Sequence, residues 1–292
     1  MKRLSYFLSA FLIGVPAFSQ KLYVASDHTA ENLFTKNIEG PAFDKKGNLY
    51  VVNFRRDGTV GIVKPNGSVS LFVDLPEGST ANSVKFDSKR SMYLPDFTGH
   101  NILKVDMKTK AVTQYVHDDR FNGPNDIIIN KRDQIFATDP DWKSRTGQLW
   151  RIDVGGRPVL LASNMGTTNG IALSPNEKTL YVSETIQAKV WAFDVDEGGN
   201  ISNKRLLAEF PDFWVDGMAC DNKGNLFVTR YNKGVIAILS PEGKQLREVE
   251  LKGKKCSNLV FGGRKGRTVY VTLQDRKGME KFLAENPGKG YK

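Results

Sequence analysis

Residues Asp216 to Thr229 read DGMACDNKGNLFVT, and variants of this stretch occur six times along the chain of 292 residues. The copies begin at Glu39 (EGPAFDKKGNLYVV), Asn82 (NSVKFDSKRSMYLP), Asn125 (NDIIINKRDQIFAT), Asn169 (NGIALSPNEKTLYVS), Asp216 and Asn258 (NLVFGGRKGRTVYVT), with successive starts 43, 43, 44, 47 and 42 residues apart. The first residue is always a carboxylate or an amide. A turn-forming residue follows five positions on (Asp44, Asp87, Asn130, Ser174, Asp221, Gly263), and an aromatic eleven or twelve on (Tyr50, Tyr93, Phe136, Tyr181, Phe227, Tyr270). A period of this length marks a solenoid, an array or a propeller, in which each unit buries its apolar face against the next.

Short strand-like runs separated by turn residues, with few helical periods, point to an all-β fold. The first unit offers an inner strand near Ala42, a turn at 44–47, and strands over 49–54, 58–63 and 68–73. The third repeats this over 134–137, 148–153 and 158–161, with an enlarged loop expected at 141–147. Inner runs such as Ile127-Ile128-Ile129 are apolar throughout, as befits a strand covered on both faces. The economical assembly is a six-bladed β-propeller with four-stranded blades around a central channel. The sixth unit has only three strands of its own, so the segment 22–34, with its pieces LYV and NLF, is expected to supply the fourth and close the ring.

Residues 1–19 combine the basic start Lys2-Arg3, an apolar run from Leu8 to Val15 and small residues before Gln20, the pattern of a cleavable signal peptide. Residues 20–292 then form the single propeller domain, periplasmic or secreted, with no membrane span after cleavage. The formal charge of +10 falls to +8 once Lys2 and Arg3 are removed. The basic residues are scattered and carry no aromatic-interleaved motif, so a nucleic-acid partner is not expected. A monomer is. Cys220 and Cys256 fall at different heights of their repeats, which favours two buried thiols over a disulfide.

Six polar residues placed before six inner strands converge on the channel axis. Individually, Asn169-Gly170 and Asp216-Gly217 are ordinary turn dipeptides. Recurrence before each inner strand gives them another meaning. Glu39, Asn125, Asn169 and Asp216 would offer two carboxylates and two amide carbonyls, oxygen donors suited to a hard cation, most naturally Ca²⁺. His28, His100 and His117 lack metal-ligand spacing. No GxSxG, Walker, GxGxxG or CxxC pattern occurs, so nucleophilic-serine, nucleotide and thiol-redox chemistries have no support. Asp139, with Asp96 and Asn53 at the matching places of their units, is a candidate for the same mouth. So is an apolar wall drawn from Phe54, Phe97, Trp142, Phe213, Trp214 and Tyr231.

At these residues the chain resembles the gluconolactonase, regucalcin (senescence marker protein) and lactonase family of six-bladed propellers. The likeness rests on Glu39-Gly40-Pro41, Asn125-Asp126 with Thr138-Asp139, Asn169-Gly170 running to Ser174-Pro175, Asp216-Gly217 running to Gly224-Asn225-Leu226, and Phe261-Gly262-Gly263 with Tyr270-Val271-Thr272. It implies a divalent ion, usually Ca²⁺, held by Glu39, Asn125, Asn169 and Asp216, and hydrolysis of a small-molecule lactone or ester. Asp216 would be ligand and proton acceptor, with Asp139 or Glu39 as helper, and Asn82, Asn258 and Asn122 would face substrate. One departure stands out. Where the sugar-lactone branch carries an arginine two residues before the blade-three asparagine, this chain has Gly123. Two further activities fit the same donors: metal-dependent hydrolysis of phosphoesters or organophosphates, and a non-catalytic binding module with a structural metal.

Overall fold

A computed structural model describes residues 21–291. The expected leader therefore lies outside the described residues. Among these, the chain forms twenty-four strands and no helix, in six antiparallel four-stranded sheets. The innermost strands are β2 (Phe34–Phe43), β6 (Lys85–Phe86), β10 (Ile127–Ile129), β14 (Thr168–Leu173), β18 (Trp214–Cys220) and β22 (Cys256–Gly262). Each is followed by its middle strands and then an outer one, as in β3 (Leu49–Phe54), β4 (Thr59–Val63) and β5 (Val69–Asp74) of blade one. This is the six-bladed propeller that the repeat anticipates.

Burial falls from the axis outward. Every residue of β14 is buried, whereas Leu71 on β5 and Leu206 near the outer edge of blade four are exposed. The apolar core is divided into six clusters. Most side chains in each come from two neighbouring blades, from Tyr50, Val52, Leu94 and Val105 between blades one and two to Val51, Val63, Tyr270 and Met279 between blades six and one. Because these clusters lie between sheets, opening the ring at any joint exposes the core of the two blades that meet there. Closure is made by β1 (Ser26–Asp27), which pairs with β24 (Gly278–Leu283) through Ser26 with Lys281 and Asp27 with Glu280. A sheet edge is thereby covered.

The recurrent turn residue has a local reason. Asp44 Oδ1 accepts from the backbone N–H of Lys46 and Asn48, and Asn130 and Asp221 do the same in their blades. These side chains satisfy turn donors that no strand partner can reach. The aromatic six residues later serves the same turn, Tyr93 Oη donating to Asp87.

Two expectations require adjustment. Blade three has no enlarged loop: β11 (Ile135–Asp141) and β12 (Thr146–Ile152) extend further than expected and leave a short hairpin turn with Trp142 in it. The Asn-Gly and Asp-Gly dipeptides are not hairpin turns but lie inside β14 and β18. Both cysteines are buried and free, as expected.

Candidate metal centre and its mouth

Four of the six ring residues, Glu39, Asn169, Asp216 and Asn258, sit where the inner strands lose their register. Shifts occur between Glu39 and Ala42, Thr168 and Ile171, Val215 and Met218, and Cys256 and Leu259. A bulge places two residues against one and re-aims a side chain. The glycine that follows the ring residue makes the close approach possible. A Cβ on Gly40 would lie 2.0 Å from Ser83 Cα, one on Gly170 would lie 2.2 Å from the Asp216 carbonyl, and one on Gly217 would lie 2.3 Å from Asn258 Cγ. Hydroxyls then tie blade to blade at the same height: Thr138 Oγ1 donates to the carbonyl of Asn169 at 2.6 Å, and Ser183 Oγ to that of Asp216 at 2.9 Å. Sequence reasoning passed over these hydroxyls, although Thr138, Ser183, Thr229 and Thr272 fall thirteen or fourteen residues after their ring residues.

Glu39, Asn82, Asn125, Asn169 and Asp216 line one cavity of about 240 Å³. All four expected metal ligands therefore come together. The amides are held in fixed orientations: Asn169 Nδ2 donates to Thr185 Oγ1 at 2.9 Å and leaves its own oxygen available, while Asn125 Oδ1 accepts from Asn82 Nδ2 at 2.7 Å and keeps its second lone pair for a cation. Glu39 Oε2 accepts from the N–H of Gly40 at 2.7 Å. Asp216 Oδ1 is buried with no hydrogen-bond partner.

The electrostatics are those of a site short of positive charge. Burial, with the charge of Asp126 added, pushes the Glu39 carboxyl up to about 8. Burial first, and then Glu39 and Asp126, raise Asp216 well above the usual carboxylate range. Asp126 accepts from Asn258 Nδ2 at 3.2 Å and lies 3.7 Å from Lys85 Nζ. Three carboxylates against one ammonium leave two negative charges when all are ionised, the balance that a divalent cation restores. Among the described residues no three His, Cys, Asp or Glu side chains form a metal cluster, so a cation here draws on amide oxygen as well as carboxylate. The donor set fits a hard, oxygen-seeking ion.

Several expected site residues are elsewhere. Asp139 is fully buried and accepts from the N–H of Asn122 (3.0 Å), the N–H of Gly123 (2.6 Å) and Trp150 Nε1 (2.9 Å). It braces the segment that delivers Asn125 and does not line the cavity, so it is not placed as a proton acceptor. Asn122 donates to the carbonyl of Asp139 instead of facing substrate. Asn258 lies beneath the mouth, holding Asp126. Of the three amides expected at substrate, only Asn82 lines the cavity. Asn53, Asp96 and Glu184 resemble Asp139 in role, since each is hydrogen-bonded to the backbone of a segment that leads into an inner strand. Asp126 and Lys85 are the channel groups that sequence reasoning missed. They follow ring residues by one and three positions, and nothing in their own spacing sets them apart.

The wall contains Phe97, Trp142, Trp214 and Tyr231, with Thr185 and Gln274 between them. Phe54 packs against Phe34 in the core, and the exposed Phe213 does not line the cavity.

Such a ring, with oxygen donors on its axis and an open mouth, defines a six-bladed propeller with a candidate divalent-cation site. The chain matches the SMP-30/Gluconolactonase/LRE-like region over residues 39–275 and belongs to that family. It is 28% identical over 273 residues to the gluconolactonase of Zymomonas mobilis subsp. mobilis, covering 80% of this chain and 75% of that one. With the diisopropyl-fluorophosphatase of Loligo vulgaris it shares 24% identity over 303 residues, 89% of this chain and 94% of the relative. The crystal structure of a calcium-binding protein, regucalcin, from Agrobacterium tumefaciens superimposes with a TM-score of 0.77 at 18% identity, covering 94% of this chain and 95% of the other, a likeness of fold.

Proposed function

We propose that this protein is a divalent-cation-dependent hydrolase that opens lactones, and that Ca²⁺ is the ion its oxygen donors suit best. The observation that carries the reading is the meeting of Glu39, Asn125, Asn169 and Asp216 in one cavity, with an oxygen of Asp216 buried and unpartnered. When bound, the ion supplies Lewis acidity at a carbonyl oxygen. The chain's own groups supply the rest. Glu39 is pinned by the Gly40 N–H and would be held as a fixed anion once a cation is bound. Asp216 would hold the ion through one carboxylate oxygen and take a proton from an attacking water through the other. Asn82 holds the amide of Asn125 in one orientation, so that its carbonyl is preorganised.

The alignment with the Zymomonas gluconolactonase supports a lactone as substrate. A panel of lactones, assayed after chelator treatment and again after Ca²⁺ is restored, tests the reading. Turnover should require the ion and should be lost in Glu39→Gln and Asp216→Asn, both of which should remain folded. Full activity of the double variant would refute the assignment. Organophosphate hydrolysis is the second reading, favoured by the nearly full-length alignment with the diisopropyl-fluorophosphatase of Loligo vulgaris. Paraoxon assayed beside the lactones separates the two. A melting temperature that falls on chelation, without turnover of any ester, would leave a binding module.

We place the protein in the periplasm or outside the cell, on the strength of the leader 1–19. A mature N-terminus at Gln20, recovered from that fraction, is the expected finding; retention of Met1 would overturn it. A monomer is expected by light scattering.

A further inference from the structure

The cavity wall has a composition that bears on substrate choice, and the inference drawn from it rests on the hydrolase reading above. Phe97 follows β7 (Met92–Asp96), Trp142 sits in the β11–β12 turn, and Trp214 and Tyr231 are directly opposed across β18 and β19 (Leu226–Tyr231). The Trp214 and Tyr231 rings are stacked, with centroids 5.9 Å apart and planes 19° from parallel. Trp142 and Trp214 are 48% and 44% exposed, high values for side chains of this size, and both line the cavity that holds the candidate metal ligands. Flat apolar faces around a small polar floor recognise flat apolar ligands.

Several polar groups of the same wall are committed to one another, while among the described residues the amide nitrogens of Asn125 and Gln274 have no partner. Tyr231 Oη donates to Gln274 Oε1 at 2.9 Å, Asn169 Nδ2 to Thr185 Oγ1, and Asn82 Nδ2 to Asn125 Oδ1. Among the described residues no lysine or arginine lines the cavity. A polyhydroxylated ring would find few uncommitted side-chain donors there, the amide nitrogens of Asn125 and Gln274 among them, which limits how many of its hydroxyls are paired. At position 123 a glycine presents only its backbone, its N–H already given to Asp139. The cavity of about 240 Å³ lies just below the range of roughly 300–1,000 Å³ usual for drug-sized ligands. It has room for a small bicyclic molecule.

We infer that the site takes neutral lactones carrying or fused to an aromatic ring, in preference to sugar lactones. The lactone carbonyl faces the donor floor, and the aryl ring lies against Trp214 and Trp142.

The test compares 3,4-dihydrocoumarin, unsubstituted δ-valerolactone and glucono-1,5-lactone by kcat/KM with the Ca²⁺-loaded protein. In parallel, calorimetry measures binding of the inert lactams 3,4-dihydroquinolin-2-one and gluconolactam. The aryl lactone should be preferred over the sugar lactone by about tenfold or more, the effect of one well-made stacking contact. Trp214→Ala and Trp142→Ala should each lower kcat/KM for the aryl lactone, and affinity for the aryl lactam, about tenfold more than the values for the unsubstituted ring. Trp214→Phe should recover most of the loss. Preference for the sugar lactone, or equal losses on all substrates, overturns the inference while leaving the hydrolase intact. If no lactone is turned over, the lactams still decide: tryptophan-dependent binding of the aryl lactam supports this mouth, and tighter binding of gluconolactam refutes it.

Discussion

Gly170→Ala is a one-methyl change that should damage both the fold and the site. The new Cβ would stand 2.2 Å from the carbonyl oxygen of Asp216 and 2.8 Å from Gly217 Cα, where ordinary contact begins at 3.4 Å. Both obstacles are backbone, so no rotamer relieves them. β14 and β18 must separate by roughly 1 Å, and that same carbonyl is the acceptor for Ser183 Oγ. Overpacking of this kind costs about 1–3 kcal/mol, and the upper end is expected because both walls are main chain. With about 2–4 °C per kcal/mol for chains a little shorter than this one, the melting temperature should fall by about 5–10 °C. The shift also parts Asn169 from Asp216, and metal–ligand distances tolerate only about 0.2 Å, so Ca²⁺ affinity should drop at least about tenfold. Gly47→Ala is the control. It stands at φ 83° with open space around its Cβ, so it should cost about 1 kcal/mol through backbone strain and leave Ca²⁺ binding alone. Scanning calorimetry and titration calorimetry on both variants decide the matter. Wild-type melting and wild-type affinity in Gly170→Ala would show that the inner strands do not approach as described.

Other outcomes follow from the same groups. Asp126→Asn removes a carboxylate that lines the channel without lining the mouth and leaves Lys85 unopposed; both effects act against a cation, so Ca²⁺ affinity by calorimetry should fall at least about tenfold. Chelation of a protein held at one hundred times its Kd in Ca²⁺ should lower stability by about 2.7 kcal/mol, and an unchanged melting curve would count against the site. His28 is buried edge-on to Tyr270, and burial, with Lys281 adding repulsion, pushes its imidazole down to about 4 from an ordinary 6.5. The neutral ring is thus favoured in the fold: its contribution is whole above pH 6.5 and is lost as pH falls toward 4, because only the unfolded chain takes up the proton. At 1.36 kcal/mol per unit, and after allowance for screening, the loss is about 2 kcal/mol. His28→Gln should flatten the acid limb of the stability curve by that amount relative to wild type. Deletion of residues 21–33 uncovers β24 and should lower the melting temperature, with aggregation through the exposed edge.

Much of the fold is legible in the sequence because the repeat writes it six times. The turn residue and its aromatic recur because each blade must satisfy the same turn donors. The fourth strand of blade six could be assigned from counting alone. The cavity-lining Glu39, Asn82, Asn125, Asn169 and Asp216 were legible for the same reason, since a common offset before six inner strands becomes a common height on one axis. Asp139 was misplaced because its offset matches a channel position, while its carboxylate has three donors within reach and turns to them.

By itself, the sequence determined the number of blades, the closing strand and the chemistry of the donors on the axis, since periodicity and residue type are local properties of the chain. Only the tertiary structure decided which oxygens remain free, that Asn125 lines the mouth while its neighbour Asp126 faces Lys85 and Asn258 below, and that four aromatic side chains from three blades share one wall. Those outcomes depend on approaches between strands more than forty residues apart and, in four of the blades, on bulges that rotate individual side chains, and neither leaves a period to read.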